Sequence, residues 1–320
     1  MFPFSFASWC RCSLLPEYNA AVTKSSAVCA TEQRNPRSKG LDRLSTRAIL
    51  QLMNREDAKV ALAIRRVIPA LTRAVDSIGN ALASGGRLFY VGAGTSGRLA
   101  VLDALECSPT FGTPPRLVQA IVAGGPRALT AALERAEDSA AQGARDLAAR
   151  KTSSRDVVVG ITASGATPYV LGALRYARRK GAATIGVTSC PGSPLERAVR
   201  IPITVQAGPE VLAGSTRLKA GTAQKMVLNM LSTATLVRLG RVYDNWMIDL
   251  ALTNHKLRER GLRILSQAAG KPLPAARHAL RQSGHSLRVA LVMLKRNAGV
   301  RRAQALLRNA RGDLRRALNE

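Results

Sequence analysis

The pattern of apolar and polar positions predicts helices at both ends of the chain and alternating strands and helices between them. Apolar residues recur every three or four positions over residues 47–84, which predicts one amphipathic helix. From residue 87, short runs of Val and Ile lack polar alternation, so these strands are expected to be buried on both faces of a parallel sheet covered by helices. The predicted strands are RLFYVG (87–92), LVQAIVAGG (117–125), DVVVGIT (156–162), AATIGVTS (182–189) and VRIPITV (199–205).

Helices are predicted between and after these strands. They cover a stretch that ends at Glu106, an Ala-rich stretch over 127–150, residues 168–180 and residues 221–240. Beyond residue 256 the strands stop, and Gly and Pro divide the tail into short helices. The tail leucines expected in a core are Leu287, Leu291, Leu294, Leu306, Leu307 and Leu314.

Three regions follow from this pattern. Residues 1–30 show no periodicity and almost no charge, which predicts an unstructured extension rather than a signal peptide. Residues 31–255 are expected to form an α/β domain around a parallel sheet, and residues 256–320 a small helical subdomain.

Composition supports a globular protein and excludes two classes. Hydrophobic residues make up 46% of the 320 positions, enough for a sizeable core. No apolar run reaches 18 residues, which excludes a membrane-spanning helix in the sequence. Aromatic residues are only 4%, which argues against base stacking on a Phe/Tyr platform. The five cysteines are odd in number and lack metal-ligand spacing, so we expect a reducing cytoplasm and no metal.

The chain is strongly basic. It has 48 Lys and Arg against 20 Asp and Glu, a net charge of +28, with arginines spread along its whole length. Such a field raises non-specific affinity for nucleic acid and anionic surfaces, and it also favours an anionic small substrate. Arginines on solvated helix faces would give the same count, so charge alone does not choose among these alternatives.

Two strand-to-helix loops have the same chemistry. GAGTSGR (92–98) and TASGATP (162–168) each place glycines and hydroxyls between a predicted parallel strand and a helix N-terminus, where open α/β sheets bind ligands. Free N–H groups and the helix dipole favour an anion there. Gly92, Gly94 and Gly97 also match G-x-G-x-x-G, but no acidic residue follows at the spacing that a dinucleotide site requires. The matched loops therefore predict phosphate binding.

A third segment, GSTRLKAGTAQK (214–225), combines hydroxyls with Arg217, Lys219 and Lys225 ahead of a predicted helix. Guanidinium groups bind carboxylate or phosphate in bidentate fashion, so this segment is a second candidate for anion binding. A basic loop that only caps the following helix is the alternative.

These loops, with LDALECSPTFG (102–112), AEDS (136–139) and GSTRLKAGTAQKMVLNMLST (214–233), resemble the N-acetylmuramic acid 6-phosphate etherases of the sugar-isomerase (SIS) superfamily. The similarity runs from TEQRNP (31–36) to the C-terminus. It implies an SIS-type αβα sandwich with a UBA-like C-terminal subdomain, and a cytoplasmic homodimer of cell-wall recycling whose sites lie near the subunit interface. Residues 47–84 are a candidate dimer contact.

The resemblance also implies an activity. The family cleaves the D-lactyl ether of N-acetylmuramic acid 6-phosphate to N-acetylglucosamine 6-phosphate and D-lactate, by elimination and then water addition, without cofactor or metal. Two carboxylates suffice for the proton transfers. By resemblance, Glu106 protonates the leaving lactate and Glu137 is the second catalytic carboxylate, the base at C2. The residues alone do not choose among Glu134, Glu137 and Asp138. Leu102 and Leu105 around Glu106 are expected to raise the pKa of its carboxyl.

The remaining site residues are assigned by the same resemblance. Arg217 occupies the position of the Glu in the superfamily's Glu-x-Lys motif, which argues against an aldose–ketose isomerase and for binding an extra anion such as the lactyl carboxylate. The chain departs from the family at Leu105, where Ser is usual, and at Ala166, where Arg is usual. The expected substrate-binding residues are Gly94, Thr95, Ser96, Thr162, Ser164, Gly165, Thr167, Ser215, Arg217 and Lys219.

Two other functions are compatible with an SIS domain. One is a non-catalytic phosphosugar-binding regulator similar to the glucokinase regulatory protein. The other is a nucleic-acid-binding regulator, but residues 1–46 contain no helix-turn-helix pattern. Because both candidate carboxylates are present, the sequence favours the enzyme, with no specific nucleic-acid partner and no membrane.

Overall fold

The computed structural model describes residues 29–319, so the extension predicted over 1–30 lies outside the described residues except for its last two positions. A parallel sheet forms the centre of the α/β domain, with strand order β2-β1-β3-β4-β5. Each strand lies within a predicted run. The strands are β1 Leu88–Gly92, β2 Val118–Val122, β3 Val157–Ile161, β4 Ala183–Thr188 and β5 Ile201–Thr204.

Helices cover both faces of this sheet. The helices of the domain are α1 Thr46–Arg65, α2 Ile68–Ala83, α3 Gly94–Phe111, α4 Ala140–Ala149, α5 Pro168–Arg179, α6 Pro194–Ala198 and α7 Lys219–Arg238. Alternate side chains of β1 show the two layers. Leu88 and Tyr90 pack in one apolar cluster with α2, α3 and α7, whereas Phe89 and Val91 pack in another with α5 and α6. The predicted αβα sandwich is confirmed.

The helix predicted over 47–84 is two helices. The first ends at Arg65, and the second begins at Ile68 with Pro69 in its first turn. Pro69 has no N–H to donate, and its ring would clash with the carbonyl of Arg65 in a continuous helix. The apolar periodicity continues across this break, which is why the pattern alone missed it.

The prediction of an Ala-rich helix over 127–150 is also wrong for most of that range. Two short 3₁₀ turns, Gly125–Leu129 and Glu134–Glu137, precede α4, which begins only after the N-cap Ser139. The Arg98 side chain donates to the carbonyl oxygens of Ala128 (2.9 Å) and Ala131 (2.9 Å). These carbonyls are therefore engaged by a tertiary contact that outweighs the helix propensity of alanine.

The C-terminal region is helical, as predicted, and has its own apolar cluster. Its buried residues include Leu287, Leu291, Leu307 and Leu314, whereas Leu294 and Leu306 are only partly buried. The helices are α8 His255–Ala269, α9 Leu273–Gln282, α10 Leu287–Arg296, α11 Val300–Asn309 and α12 Leu314–Leu318.

Candidate functional site

The two predicted phosphate loops lie side by side at the carboxyl edge of the sheet. Strands β1 and β3 are neighbours, and the pairing of Gly92 with Ile161 aligns their last residues. The loops that follow these residues therefore leave the same edge together. Both lead directly into a helix, α3 or α5, whose N-terminus points at that edge.

The first loop brings the backbone unusually close to the following helix. A Cβ atom on Gly92 would lie 2.8 Å from the Gly97 nitrogen, and one on Gly97 would lie 2.5 Å from a Val122 methyl group. Gly94 begins α3 with a positive φ of 51°. Thr95 is half-buried and Ser96 is 9% exposed. The glycines thus allow a tight turn that presents two hydroxyls and the first N–H groups of α3.

The second loop is organised by its own hydroxyls. Thr162, which is buried, lies 2.7 Å from the Thr167 hydroxyl and 3.3 Å from the Ser164 hydroxyl. The Ser164 oxygen also accepts from the Ala166 N–H at 3.2 Å. Gly165 has a φ of 67°, and a Cβ there would lie 2.2 Å from the Ser193 hydroxyl oxygen. The loop is therefore fixed before any ligand binds, with Ser164 exposed.

The third segment, residues 214–225, contacts the first loop, but Lys219 within it is buried. A Cβ on Gly221 would lie 3.6 Å from the Thr95 methyl group, so the start of α7 adjoins the first loop. Ser215 is half-buried and Arg217 is exposed. Glu210, fully buried, accepts from the backbone N–H groups of Lys219 and Ala220 at 2.9 Å each. A carboxylate of the chain thus already occupies the N-terminus of α7.

Lys219 was predicted to bind the substrate, but its ammonium group lies in the interior. Its Nζ donates to Glu56 Oε2 at 2.7 Å and to the Ala207 carbonyl at 3.0 Å, and both charged side chains are 1% exposed. Burial opposes ionisation of Glu56, but hydrogen bonds from Lys219, Lys59 and Asn35 outweigh it and lower the pKa of Glu56 to about 2. Lys219 is therefore a partner of Glu56 in this structure.

Glu137 lies in the connection between β2 and α4, which leaves the same carboxyl edge beside the first loop. It is exposed, as is Asp138. Ala136 packs in the apolar cluster beneath the connection, and Arg98 fixes the connection from α3. The Cβ of Ala136 lies 3.4 Å from a Cβ built on Gly124, two residues after β2, so the segment that carries Glu137 returns to the carboxyl edge of the sheet.

Glu106 lies at the opposite end of α3. It is 11 residues from Thr95, about 16 Å along the helix axis at 1.5 Å per residue. The predicted apolar enclosure is absent, because Leu102 is 52% and Leu105 is 68% exposed and Glu106 itself is exposed. The helix also continues to Phe111, beyond its predicted end. Within one chain, Glu106 and the phosphate loops are therefore not brought together.

Glu106 instead lines a cavity of about 480 Å³ between α3 and α7 that sequence reasoning missed. Asp103, one turn before Glu106, is buried in its wall and accepts from Asn229 Nδ2 at 2.7 Å and from Ser232 Oγ at 3.1 Å. Burial raises the pKa of the Asp103 carboxyl, and the donors from Asn229 and Ser232 act against that rise. A charged residue on the buried face of a helix was the available sequence signal.

Within residues 29–319, no group of three or more His, Cys, Asp or Glu side chains is placed to hold a metal ion. The same part of the chain contains no helix long and apolar enough to cross a membrane.

The fold and the paired loops define an SIS domain. The family model of the glucokinase regulatory protein N-terminal SIS domain matches residues 70–178, and the SIS domain model matches residues 137–234. A crystal structure from Bacteroides fragilis, of a protein assigned as a phosphosugar isomerase involved in capsule formation, shares the fold. It has a TM-score of 0.50 and 20% identity, and covers 63% of this chain and 95% of that one.

Relatives of higher identity define the family. N-acetylmuramic acid 6-phosphate etherases from Pectobacterium atrosepticum and Yersinia pestis are each 51% identical over 288 residues, 90% of this chain and 95% and 98% of theirs. The chain therefore belongs to the N-acetylmuramic acid 6-phosphate etherase family, and the resemblance seen in the sequence is confirmed.

Proposed function

We propose that the protein cleaves the D-lactyl ether of N-acetylmuramic acid 6-phosphate, giving N-acetylglucosamine 6-phosphate and D-lactate, in the recycling of cell-wall amino sugars. The observation that carries this proposal is the pair of Gly/Ser/Thr loops at adjacent strand ends in a chain that belongs to the etherase family. A carboxylate in the next connection, Glu137, completes the set of groups at this edge.

The phosphate group of the sugar would bind between the two loops. Thr95, Ser96 and Ser164 supply hydroxyls, and Gly94 and Gly165 allow close approach of backbone N–H groups. Thr162 and Thr167 hold each other at 2.7 Å and so fix the second loop. Ser215 and Arg217, in the segment that contacts the first loop, would bind the lactyl carboxylate; Lys219 is left out because Glu56 engages it.

The chemistry begins with the open-chain sugar, whose aldehyde acidifies the C2 proton. Glu137 removes that proton, and the electron pair moves through C2 to form the C2–C3 double bond as the C3–O bond breaks. Glu106 protonates the departing lactate oxygen, then deprotonates a water molecule that adds at C3, and the C2 proton is returned. The proton count balances, and each carboxyl can contribute about 10²–10⁴-fold in rate.

The length of α3 supports a site in which Glu106 comes from a second copy. A hexose phosphate held at the start of α3 cannot extend about 16 Å to the Glu106 of its own chain. Leu102 and Leu105 flank Glu106 on an exposed apolar surface that a partner would cover. On α1, Leu50 and Leu62 are 61% and 63% exposed and form the candidate contact in the 47–84 region. We therefore infer a homodimer whose sites each combine Glu137 of one protomer with Glu106 of the other.

Mixed dimers test this arrangement. Glu106→Gln and Glu137→Gln are each expected to abolish D-lactate release. Refolding the two variants together gives half heterodimers, each with one intact pair of carboxylates, so about one quarter of the parent activity should return. Recovery of no activity in dimers shown by mass spectrometry to be mixed would refute the shared site. The same experiment with Asp138→Asn in place of Glu137→Gln shows which residue is the C2 base.

The activity itself is tested by D-lactate release from N-acetylmuramic acid 6-phosphate without added metal or nucleotide. The parent should release D-lactate, and Glu106→Gln should bind the phosphosugar without turnover. Binding by the parent without any release would refute the enzyme and indicate a phosphosugar-binding regulator, for which the Ala166 and Leu105 departures would be the first residues to examine.

A further inference from the structure

The cavity beside Glu106 contains a buried polar group that the reaction above does not use. Asp103 is 5% exposed and forms part of the cavity wall. An isolated carboxylate in such a place is unfavourable unless hydrogen bonds satisfy it. An apolar side chain would fill the same volume without that penalty, so the hydrogen bonds that Asp103 makes are the feature to explain.

Asp103 fixes the orientation of one amide. Its Oδ1 can only accept, and it lies 2.7 Å from Asn229 Nδ2, so the NH₂ group of Asn229 must face Asp103. The carbonyl oxygen of Asn229 is then directed away from Asp103, and Asn229 lines the cavity. Ser232 also donates to Asp103, at 3.1 Å, which leaves its oxygen as an acceptor. Asn229, which Asp103 orients, thus offers its carbonyl oxygen to the cavity as an acceptor.

Two more buried polar atoms belong to this cluster, one from Asp103 itself and one from Tyr90. The second carboxylate oxygen, Oδ2, and the Tyr90 hydroxyl are both buried, and within the described part of the chain neither makes a hydrogen bond of normal geometry. Tyr90 lies on β1 and is fully buried, so it closes the inner side of the network. Asn229 and Ser232, both on α7, thus supply the two hydrogen bonds of normal geometry to the Asp103 carboxylate, and rotation of either side chain would remove one of them.

The position of Glu106 indicates which part of the sugar would enter this cavity, and this inference rests on the proposed function. If Glu106 serves the C3 oxygen of a sugar held by the other protomer, the substituent on the adjacent carbon, C2, lies next to it. In the proposed substrate that substituent is an acetamido group, whose N–H is a donor. Asn229 is half-buried and lines the cavity together with Glu106.

We propose that Asn229, oriented by Asp103, is a specificity-determining residue that accepts a hydrogen bond from the C2 acylamino N–H of the sugar. Asp103 is a positioning residue that acts through Asn229. A neutral hydrogen bond of this kind corresponds to about a tenfold difference in kcat/KM between substrates with and without the donor.

The test compares two substrates, N-acetylmuramic acid 6-phosphate and its 2-deoxy analogue, 3-O-lactyl-2-deoxyglucose 6-phosphate, which can undergo the same elimination but has no donor at C2. The parent should prefer the acetamido sugar by about tenfold in kcat/KM. Asn229→Ala should have nearly equal kcat/KM for the two sugars. Ser232→Ala is the matched control, because it removes one hydrogen bond to Asp103 and leaves the Asn229 carbonyl in place.

The outcomes separate the two proposals. If Asn229 only satisfies Asp103, Asn229→Ala and Ser232→Ala should both lower the melting temperature and both retain the substrate preference; that result overturns the specificity role. A parent that releases lactate equally from both sugars also overturns it, while the proposed reaction stands. A parent that releases no lactate from either sugar overturns the proposed function and the inference with it.

Discussion

The buried pair of Glu56 and Lys219 gives a sharp prediction about stability. Glu56→Gln would leave the Lys219 ammonium, 1% exposed, with neutral carbonyl oxygens as its acceptors and no compensating negative charge beside it. Breaking a buried ion pair from one side costs about 3–5 kcal/mol. The pKa of Glu56 gives a similar magnitude, since lowering it from 4.5 to about 2 corresponds to about 3 kcal/mol. Lys219→Met should cost less, about 1–3 kcal/mol, because Glu56 keeps Lys59 and Asn35.

Urea unfolding of the parent and the two variants measures these costs. Because the folded pKa of Glu56 lies below the unfolded value, its stabilisation is fully present above about pH 4.5 and is lost as the pH falls toward about 2. The difference in the free energy of unfolding between the parent and Glu56→Gln should therefore become smaller as the pH falls from about 4.5 to about 2. A loss below about 1 kcal/mol for Glu56→Gln at pH 7, or a larger loss for Lys219→Met, would refute this account. Lys219→Met should also retain phosphosugar affinity, since Lys219 is not placed in the phosphate site.

Three further predictions concern the loops and the interior. Ser164→Ala should raise the Kd for the phosphosugar about tenfold by calorimetry, whereas Ser84→Ala, at the exposed C-cap of α2, should leave it unchanged; equal Kd values for Ser164→Ala and the parent would contradict the phosphate assignment. Arg98→Ala should lower kcat for lactate release about tenfold with little change in KM, because the Ala128 and Ala131 carbonyls lose their donor; an unchanged kcat would show that the connection needs no anchor. Burial raises the pKa of the Cys107 thiol to about 12, so iodoacetamide at pH 8 should leave Cys107 unmodified in the native protein and label it in urea; labelling at equal rates would contradict that burial.

The sequence predicted those features that depend on neighbours along the chain. The strands were found because β-branched runs such as VVVG at 157–160 are short and bounded by polar loops. The phosphate loops followed from glycines and hydroxyls placed directly after two of these runs. What the sequence could not provide was the partner of a polar side chain. Lys219 meets Glu56 across 163 positions, and Asn229 meets Asp103 across 126, so the local sequence did not identify these partners.

Helix propensity gave a wrong prediction where a tertiary contact competed with helix formation. The segment after β2 is rich in alanine, yet Arg98 engages two of its carbonyls and the chain remains in short turns until Ser139 caps α4. Two hydrogen bonds to the Arg98 guanidinium group, about 1.5–3 kcal/mol each, are of the same order as the helix propensity summed over this segment and so can compete with it. The same turns keep Glu137 at the carboxyl edge of the sheet, where a continuous helix would have carried it away.

The distance of Glu106 from the first phosphate loop, in contrast, follows from the helix that the sequence predicts between that loop and Glu106. A helix that follows a parallel strand starts at the carboxyl edge and moves away from it by 1.5 Å per residue, so a carboxylate 11 residues into α3 cannot serve a ligand bound at its own N-terminus. If Glu106 acts in the proposed reaction, it therefore acts on a ligand held by another chain. Leu102 and Leu105, which are exposed in the helical turn just before Glu106, are consistent with this, because a face of α3 that met only water would need no apolar side chains. The distance between Thr95 and Glu106 therefore makes dimerisation a requirement of the proposed reaction, and a protomer held apart from its partner should bind the phosphosugar without cleaving it.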